Sequence, residues 1–347
     1  MAKQRNPVLN LVSGALSTLG GATLSTVIGW IVYSRFFINH NVALPPAIQA
    51  DQERFKSESA GFLSYYVSRE GTGRPLVLIH SINAAASAYE MRPIFEHYRG
   101  TRPVYALDLP GFGFSERANR EYTPQLFADA INDFLAQKVG APADVIALSL
   151  GSEFAARAAL QKPDLFNTLT LISPSGFAER NTERSSQEIS GSILSDLTYR
   201  LFSFPLWSQA FYDLLATRRS INYYLKQSFE GQVDPGLAAW DYATTHQPGA
   251  RYAPLYFVSG KLFDRHIRQN VYEKLSLPVL VIHDIDSFVR FDALPALTAQ
   301  RPNWHVAKVV PTRGLPQFEK MAETAAALDN FWSQSVSAQD AMQYLNQ

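Results

Sequence analysis

The stretch Ala143–Leu160, ADVIALSLGSEFAARAAL, constrains this chain most. Its apolar run Val145–Leu148 ends in Ser149, the residues two before and two after are the small Ala147 and Gly151, and an alanine-rich helical pattern follows. Small–x–Ser–x–small between a strand and a helix predicts a turn so tight that bulky flanks would clash. Such a turn lifts the serine hydroxyl to the top of a sheet. It also aims the next backbone N–H groups, starting with Leu150, at the same point, where a helix N-terminus favours a developing oxyanion. A serine in an ordinary strand–helix corner has the same local spacing, so the surroundings have to decide.

Those surroundings alternate between two periods. Phe62–Ser68 alternates like a half-buried strand. Pro75–His80 is a continuous apolar run, as expected of a strand buried on both faces of a parallel sheet, and Pro103–Leu109 reads as another buried strand. Thr168–Ile172 and Pro278–His283 are further strands. His305–Val310 reads as a further strand, and helical spacing covers Ala84–Tyr98, Tyr122–Lys138, Phe291–Gln300 and Gln317–Trp332. Strands alternating with helices predict an α/β domain with a mostly parallel sheet. The rhythm stops over Ser175–Gly260, which is helical and rich in aromatic residues such as Tyr199, Trp207, Phe211, Tyr212 and Trp240. Most of these suit helix packing, and some could line an apolar pocket over Ser149.

Lys+Arg and Asp+Glu each number 31 in 347 residues, so the formal charge is zero and no electrostatic case for nucleic-acid binding exists. The absence of cysteine excludes disulfides, thiolate chemistry and cysteine–zinc sites, and no cofactor is expected. At the N-terminus no residue between Arg5 and Arg35 is charged. A helix over this stretch would reach ~40 Å, enough to cross a bilayer with tilt. Trp30, Tyr33, Phe36 and Phe37 gather at its far end, and Ser13, Ser17, Gly21, Ser25 and Gly29 form a small-residue face. The segment therefore predicts one long membrane-anchoring helix over Pro7–Tyr33, with a signal peptide, or an amphipathic helix lying on the protein or the membrane surface, as alternatives. Lys3 and Arg5 against Arg35 alone place the globular domain on the non-cytoplasmic side. The expected organisation is then an N-terminal membrane segment (1–40), a linker (41–60), a core (61–174 and 261–335) split by a helical cap (175–260), and a polar tail (336–347).

Four motifs, in order, resemble those of the α/β-hydrolase superfamily, in the branch with a helical cap between strands six and seven. His80-Ser81 stands where the family has His-Gly, and Asp108-Leu-Pro-Gly-Phe-Gly-Phe-Ser115 matches a D-x-x-G-x-G-x-S turn. Ala147–Gly151 matches the nucleophile elbow, and Gly314-Leu-Pro-Gln-Phe-Glu319 matches H-x-P-x-x-E except at its first position. The resemblance covers roughly Gly61 to Trp332. It implies an eight-stranded-type, mostly parallel sheet with flanking helices, Ser149 as nucleophile, and the Leu150 and Ile82 N–H groups as oxyanion hole. Asp286 falls on the family's acid, with Asp284 as a weaker candidate.

The resemblance also implies a gap, because the family's base histidine aligns with Gly314. Losing that histidine costs a serine protease roughly 10⁶ in kcat, or ~8 kcal/mol. His283, at the rim of its strand where α/β active sites form, and His246, in the cap, are candidate substitutes. Glu153, one helical turn after Ser149, is another. Two functions stay open. One is a serine-nucleophile hydrolase or acyltransferase acting on a small apolar or lipid-like ester or related acyl substrate, with a non-standard base. The other is a catalytically inactive member that binds a ligand or partner through its capped pocket. Serine at the elbow argues against attack by a carboxylate, as in dehalogenase-type chemistry.

Overall fold

The computed structural model describes residues 25–178 and 187–345. Eight strands form one sheet: β1 (Asp51–Ser57), β2 (Gly61–Ser68), β3 (Leu76–Ile79), β4 (Val104–Leu107), β5 (Ala143–Leu148), β6 (Phe166–Ile172), β7 (Val279–His283) and β8 (Trp304–Lys308). Their order is β1-β2-β4-β3-β5-β6-β7-β8. β2 runs antiparallel to β1 and β4, and every other neighbouring pair is parallel. All residues of β3, β4, β5, β6 and β7 are buried, Asp144 of β5 and Asn167, Thr168 and Thr170 of β6 included.

The helices are α1 (25–37), α2 (Arg92–Tyr98), α3 (Pro124–Phe134), α4 (Gly151–Gln161), α5 (Gln187–Phe202), α6 (Ser208–Leu215), α7 (Arg218–Ser228), α8 (Pro235–Thr245), α9 (Tyr252–Val258), α10 (Ile267–Asn270), α11 (Leu294–Gln300), α12 (Pro316–Glu319) and α13 (Met321–Leu345). Two cores flank the sheet. On one face Phe127 and Phe134 of α3 pack with Phe154 of α4 and the inward side chains of β5 and β6. On the other, Ile94 and Phe95 of α2 meet Leu328 and Phe331 of α13. The elements α5–α9 lie in the connection between β6 and β7.

Three stretches differ from their sequence reading. Residues 51–57, inside the expected linker, form β1. Its sequence DQERFKS buries only Phe55 and Ser57, so it lacks an apolar run, and its charges suit an edge that must not pair with another chain. Only Ala88–Met91, a 3-10 turn, and α2 are helical within the predicted helix Ala84–Tyr98. α13 continues to Leu345 where a frayed tail was expected.

The N-terminal expectation is overturned. Among the described residues no helix is long and apolar enough to cross a membrane. A membrane-spanning anchor, and with it the placing of the globular domain on the non-cytoplasmic side, is therefore not supported. Residues 1–24 of the expected span lie outside the described residues. The remainder, α1, touches the protein along one side, while Val27, Ile28, Val32, Tyr33, Phe36 and Phe37 are exposed. Trp30 Nε1–H donates to the Ala210 carbonyl at 2.7 Å, and the Ser34 hydroxyl donates to Asp213 Oδ2 at 2.6 Å. His40 Nε2 lies 3.0 Å from both Asp213 oxygens. Further along, the Trp240 indole donates to the Pro45 carbonyl, and Val42 exchanges hydrogen bonds with His246 and Gln247. The helix is thus tied to the α/β domain through Trp30 and Ser34.

Asp213 is buried with three side chains donating to it. Asp213→Ala leaves the Ser34 hydroxyl without its acceptor and should destabilise the protein by ~1–3 kcal/mol. Urea unfolding checks this, and a loss below ~0.5 kcal/mol would show that α1 docks weakly.

Candidate active site

Ser149 follows β5 with φ +50°, a left-handed conformation that non-glycine residues rarely hold without compensation. Compensation comes from both sides of the turn. The Ser149 N–H donates to the Ile172 carbonyl of β6 at 2.8 Å, and the Ser149 carbonyl accepts the Ser152 N–H at 3.0 Å. Gly151 is required by contact: a Cβ there would lie 2.2 Å from the His80 backbone oxygen. That approach brings the loop after β3 against the start of α4. Ser149 is half-buried, and its hydroxyl has no hydrogen-bond partner among the described residues. The N–H groups of Leu150 and Ile82 also have no acceptor there, although both residues are buried.

His80 holds this loop from beneath. Its Nε2 accepts the Leu109 N–H at 2.9 Å, so the proton sits on Nδ1, which donates to the Ser81 carbonyl at 2.6 Å. Complete burial pushes its pKa down to about 3, and the ring stays neutral. Asp108 organises the next turn by accepting the N–H groups of Ala88 and Phe114. A Cβ at Gly113 would lie 2.0 Å from its carboxyl, which explains the glycine in that motif.

Asp286 lies after β7 and is half-buried. Its Oδ1 accepts the Phe288 N–H at 2.7 Å and the Val289 N–H at 3.2 Å. Burial raises its pKa against these bonds, and the neighbouring Ser173 hydroxyl opposes the rise without forming a well-shaped hydrogen bond. Ser173 itself has φ +44° and donates its N–H to Ile282 of β7. Ser149, Ser173 and Asp286 therefore occupy successive strand ends, and the two strand spacings from β5 to β7 amount to ~10 Å. Gly314 is buried beside Asp286. A Cβ at its φ of +96° would lie 2.9 Å from Asp286 Oδ2 and within 4 Å of no residue but Asp286, chain neighbours aside.

None of the three candidate bases hydrogen-bonds Ser149. His283 donates from Nδ1 to the Asp284 carbonyl at 3.3 Å and packs its ring 4.4 Å from that of Phe291. His246 donates to the Tyr242 carbonyl at 2.7 Å and lies 4.0 Å from its ring, between α8 and the strap from α1. Burial lowers both pKa values. Glu153 accepts the Ser175 hydroxyl at 2.5 Å and the Asp264 N–H at 3.3 Å, and burial pushes its pKa up to about 7. Asp284 accepts the Thr312 N–H and so shapes a loop. Glu319 has a similar structural task, since its carboxylate holds the N–H groups of Glu230, Gly231 and Arg313.

Neither of two cavities in the structure is lined by Ser149. A cavity of about 10 Å³, lined by Ala84, Gly111, Arg117, Tyr212 and Thr244, lies between the β3 loop and the helical insertion. It has room for about one water. An open cleft of about 970 Å³ lined by Arg74, Tyr98, Arg102, Asp144 and Trp332 belongs to the opposite end of the sheet, since Asp144 begins β5 and Ser149 follows its end. Some of the insertion's aromatics pack on one another, Tyr199 on Tyr256 at 4.1 Å and Phe202 on Phe211 at 4.2 Å, while Phe204, Tyr223 and Tyr224 are exposed. The expected apolar pocket over Ser149 is not one of these two cavities.

The alpha/beta hydrolase family model matches residues 76–327, which spans β3, the elbow and Gly314. The chain belongs to this family. An uncharacterized hydrolase of Bacillus subtilis (strain 168), YugF, is 34% identical over 119 residues, covering 34% of this chain and 43% of its own. The 1-acylglycerol-3-phosphate O-acyltransferase ABHD5 of Homo sapiens is 32% identical over 110 residues, 30% of this chain and 31% of its own. The chain thus matches less than half the length of these relatives. The carboxylesterase CesB of Bacillus subtilis superposes with a TM-score of 0.61 at 17% identity, covering 82% of this chain and 92% of its own. At that identity the likeness shows the fold. Within the family, the serine on a strained turn after β5 and the free N–H groups beside it fit acyl transfer.

Two consequences are testable. Gly151→Val forces a side chain into the His80 carbonyl and should cost ~1–3 kcal/mol, read as a lowered Tm, with Ser149 reactivity falling in parallel. Glu153 is neutral in both states below about pH 4.5, and between there and about 7 the folded state keeps a proton that the unfolded state has lost. Its contribution therefore weakens stability as pH rises through that window. Glu153→Gln should leave stability unchanged near pH 4.5 and raise it near pH 7.5 by up to ~3 kcal/mol, measured by denaturant unfolding at both pH values.

Proposed function

We propose that the protein is a serine-nucleophile hydrolase or acyltransferase acting on an ester or related acyl compound, and that its own chain supplies no general base. Ser149 is the nucleophile, the Leu150 and Ile82 N–H groups form the oxyanion hole, Asp286 is the acid, and Gly314 occupies the family's base position. The observation that carries the reading is Ser149 held at φ +50° beside two buried N–H groups without acceptors. Both features are costly in a fold that does not use them. Attack by Ser149 Oγ on the acyl carbon releases the hydroxyl proton, and the leaving alcohol must gain one. Both transfers need a carrier where no histidine stands.

The lipid-like substrate expected from the aromatic insertion has little support from the cavity beside the loop, which holds about 10 Å³. The missing base favours a second reading: an inactive family member that binds a ligand or partner through the same site.

Labelling by a serine-reactive fluorophosphonate separates the readings. The natural protein should label and Ser149→Ala should not; equal labelling of both moves the chemistry away from the elbow. Hydrolysis of a short-chain ester should then be slow and should rise with added imidazole in a saturable way. A rise of roughly tenfold is a fraction of the 10²–10⁴ that a positioned base supplies. It should vanish in Ser149→Ala and weaken in Asp286→Asn. Gly314→His should restore less, because φ +96° costs a side chain ~1–3 kcal/mol. Labelling without any imidazole response would favour the binding reading.

A further inference from the structure

A carboxylate that the acyl-transfer chemistry does not use lies buried behind the β3 loop. Glu90 sits in the turn Ala88–Met91, capped by Ser87. Its Oε2 accepts the Ser81 N–H at 2.8 Å, and its Oε1 accepts the Ser81 hydroxyl at 2.8 Å and the Asn83 amide at 2.9 Å. Asn83 also donates to the Ser81 hydroxyl at 2.9 Å and accepts the Ala85 N–H at 2.7 Å through Oδ1. From below, Gln317 of α12 donates to the Glu90 carbonyl at 3.1 Å.

We propose that Glu90 is a positioning residue whose carboxylate clamps the loop 81–85 and thereby aims the Ile82 N–H at the oxyanion site; this rests on the reading of Ser149 as nucleophile. Peptide geometry makes the link. The Ser81 carbonyl is held by His80 Nδ1, and in a trans peptide the next N–H, that of Ile82, points the opposite way. With its N–H and hydroxyl also held by Glu90, Ser81 has no polar group left to rotate. Ser81 stands where the family pattern has glycine, so a residue that stiffens the loop comes with an acid that fixes its one conformation.

An ionised carboxylate offers only acceptors, and three donors converge on it. Protonation turns one oxygen into a donor, and the loop loses a contact. Burial, and after it Glu90's charge, push the pKa of Asp241 on α8 well up, and burial pushes Asp108, which accepts the Ala88 N–H of the same turn, up to about 6. Tyr89 beside Glu90 keeps its proton, with Arg92 and Asp234 at its rim. Gln317 carries no charge, and the His80 ring is neutral. Burial pushes Glu90 up to about 7, so the clamp forms as pH rises through that value.

Two measurements on the full chain test this. Fluorophosphonate labelling of Ser149 across pH 5.5 to 8.5 should slow in the natural protein as pH falls through about 7. In Glu90→Gln it should be about 10- to 100-fold slower at pH 8, part of the 10²–10³ carried by one oxyanion donor, and lose that inflection. Hydrogen exchange of the Ser81–Ala85 amides, corrected for intrinsic rates and read against the β5 amides, should lose about tenfold or more of its protection in the same variant. Ser81→Gly, which keeps the N–H bond to Glu90, should retain most of the labelling rate and the inflection. Unchanged loop protection in Glu90→Gln overturns the clamp, whatever Ser149 does. Lost protection with an unchanged labelling rate and pH profile overturns its role in aiming Ile82. If the natural protein never labels, the nucleophile reading fails, and with it the aiming role; exchange alone then decides whether the clamp exists.

Discussion

The approach of the His80 carbonyl to Gly151 is the contact on which the site depends. With a Cβ position 2.2 Å from that oxygen, no residue but glycine lets α4 start where it does. The loop after β3 is thereby locked to the turn after β5. His80 transmits the constraint in two further directions, to Leu109 through Nε2 and to Ser81 through Nδ1. A neutral imidazole is essential here because it must accept on one nitrogen and donate on the other. Its burial, which forbids protonation, is therefore part of the same device. Strand end, loop and helix start become one unit, and the free N–H groups of Ile82 and Leu150 are set by it.

Around that unit the structure accumulates acid rather than base. Glu90, Asp108, Glu153 and Asp241 are buried, each with its pKa raised by desolvation. Such groups cost stability near neutral pH, and each of the first three is retained in contact with backbone N–H groups of loops and turns: Glu90 with Ser81, Asp108 with Ala88 and Phe114, Glu153 with Asp264. A carboxylate serves this purpose because its two oxygens accept several donors at once. The loops at the elbow end of the sheet are thus held by charge-assisted bonds, whereas the sheet beneath them is held by apolar burial.

Much of the sheet was legible because burial on both faces leaves a mark that needs no partner: β3, β5 and β7 are apolar at every or nearly every position. The elbow was legible because its small residues are dictated by a local turn. β1 was not, since an edge strand with two buried residues has no periodic signal. The α1 region misled for a related reason. An uncharged helix with aromatic residues is equally suited to lipid and to a protein surface, and only Asp213, 179 positions from Ser34, distinguishes the two. Glu90 escaped notice as an ordinary acid in a helical stretch, although Ser81 in a family glycine position was a signal that the loop needed a new partner.

The sequence by itself determined the alternating α/β order, the mostly parallel sheet, the strand–turn–helix at Ser149 and the absence of a histidine at Gly314. Each of these follows from residues near one another in the chain, through backbone conformation or the burial of short runs. Tertiary structure decided the rest: that His283, His246 and Glu153 are occupied by other partners, that Asp286 faces Gly314, and that Glu90 reaches Ser81 while Gln317 reaches Glu90. Hydrogen bonds of that kind depend on where side chains from distant segments meet, and the direction of a buried donor cannot be read from its neighbours in sequence.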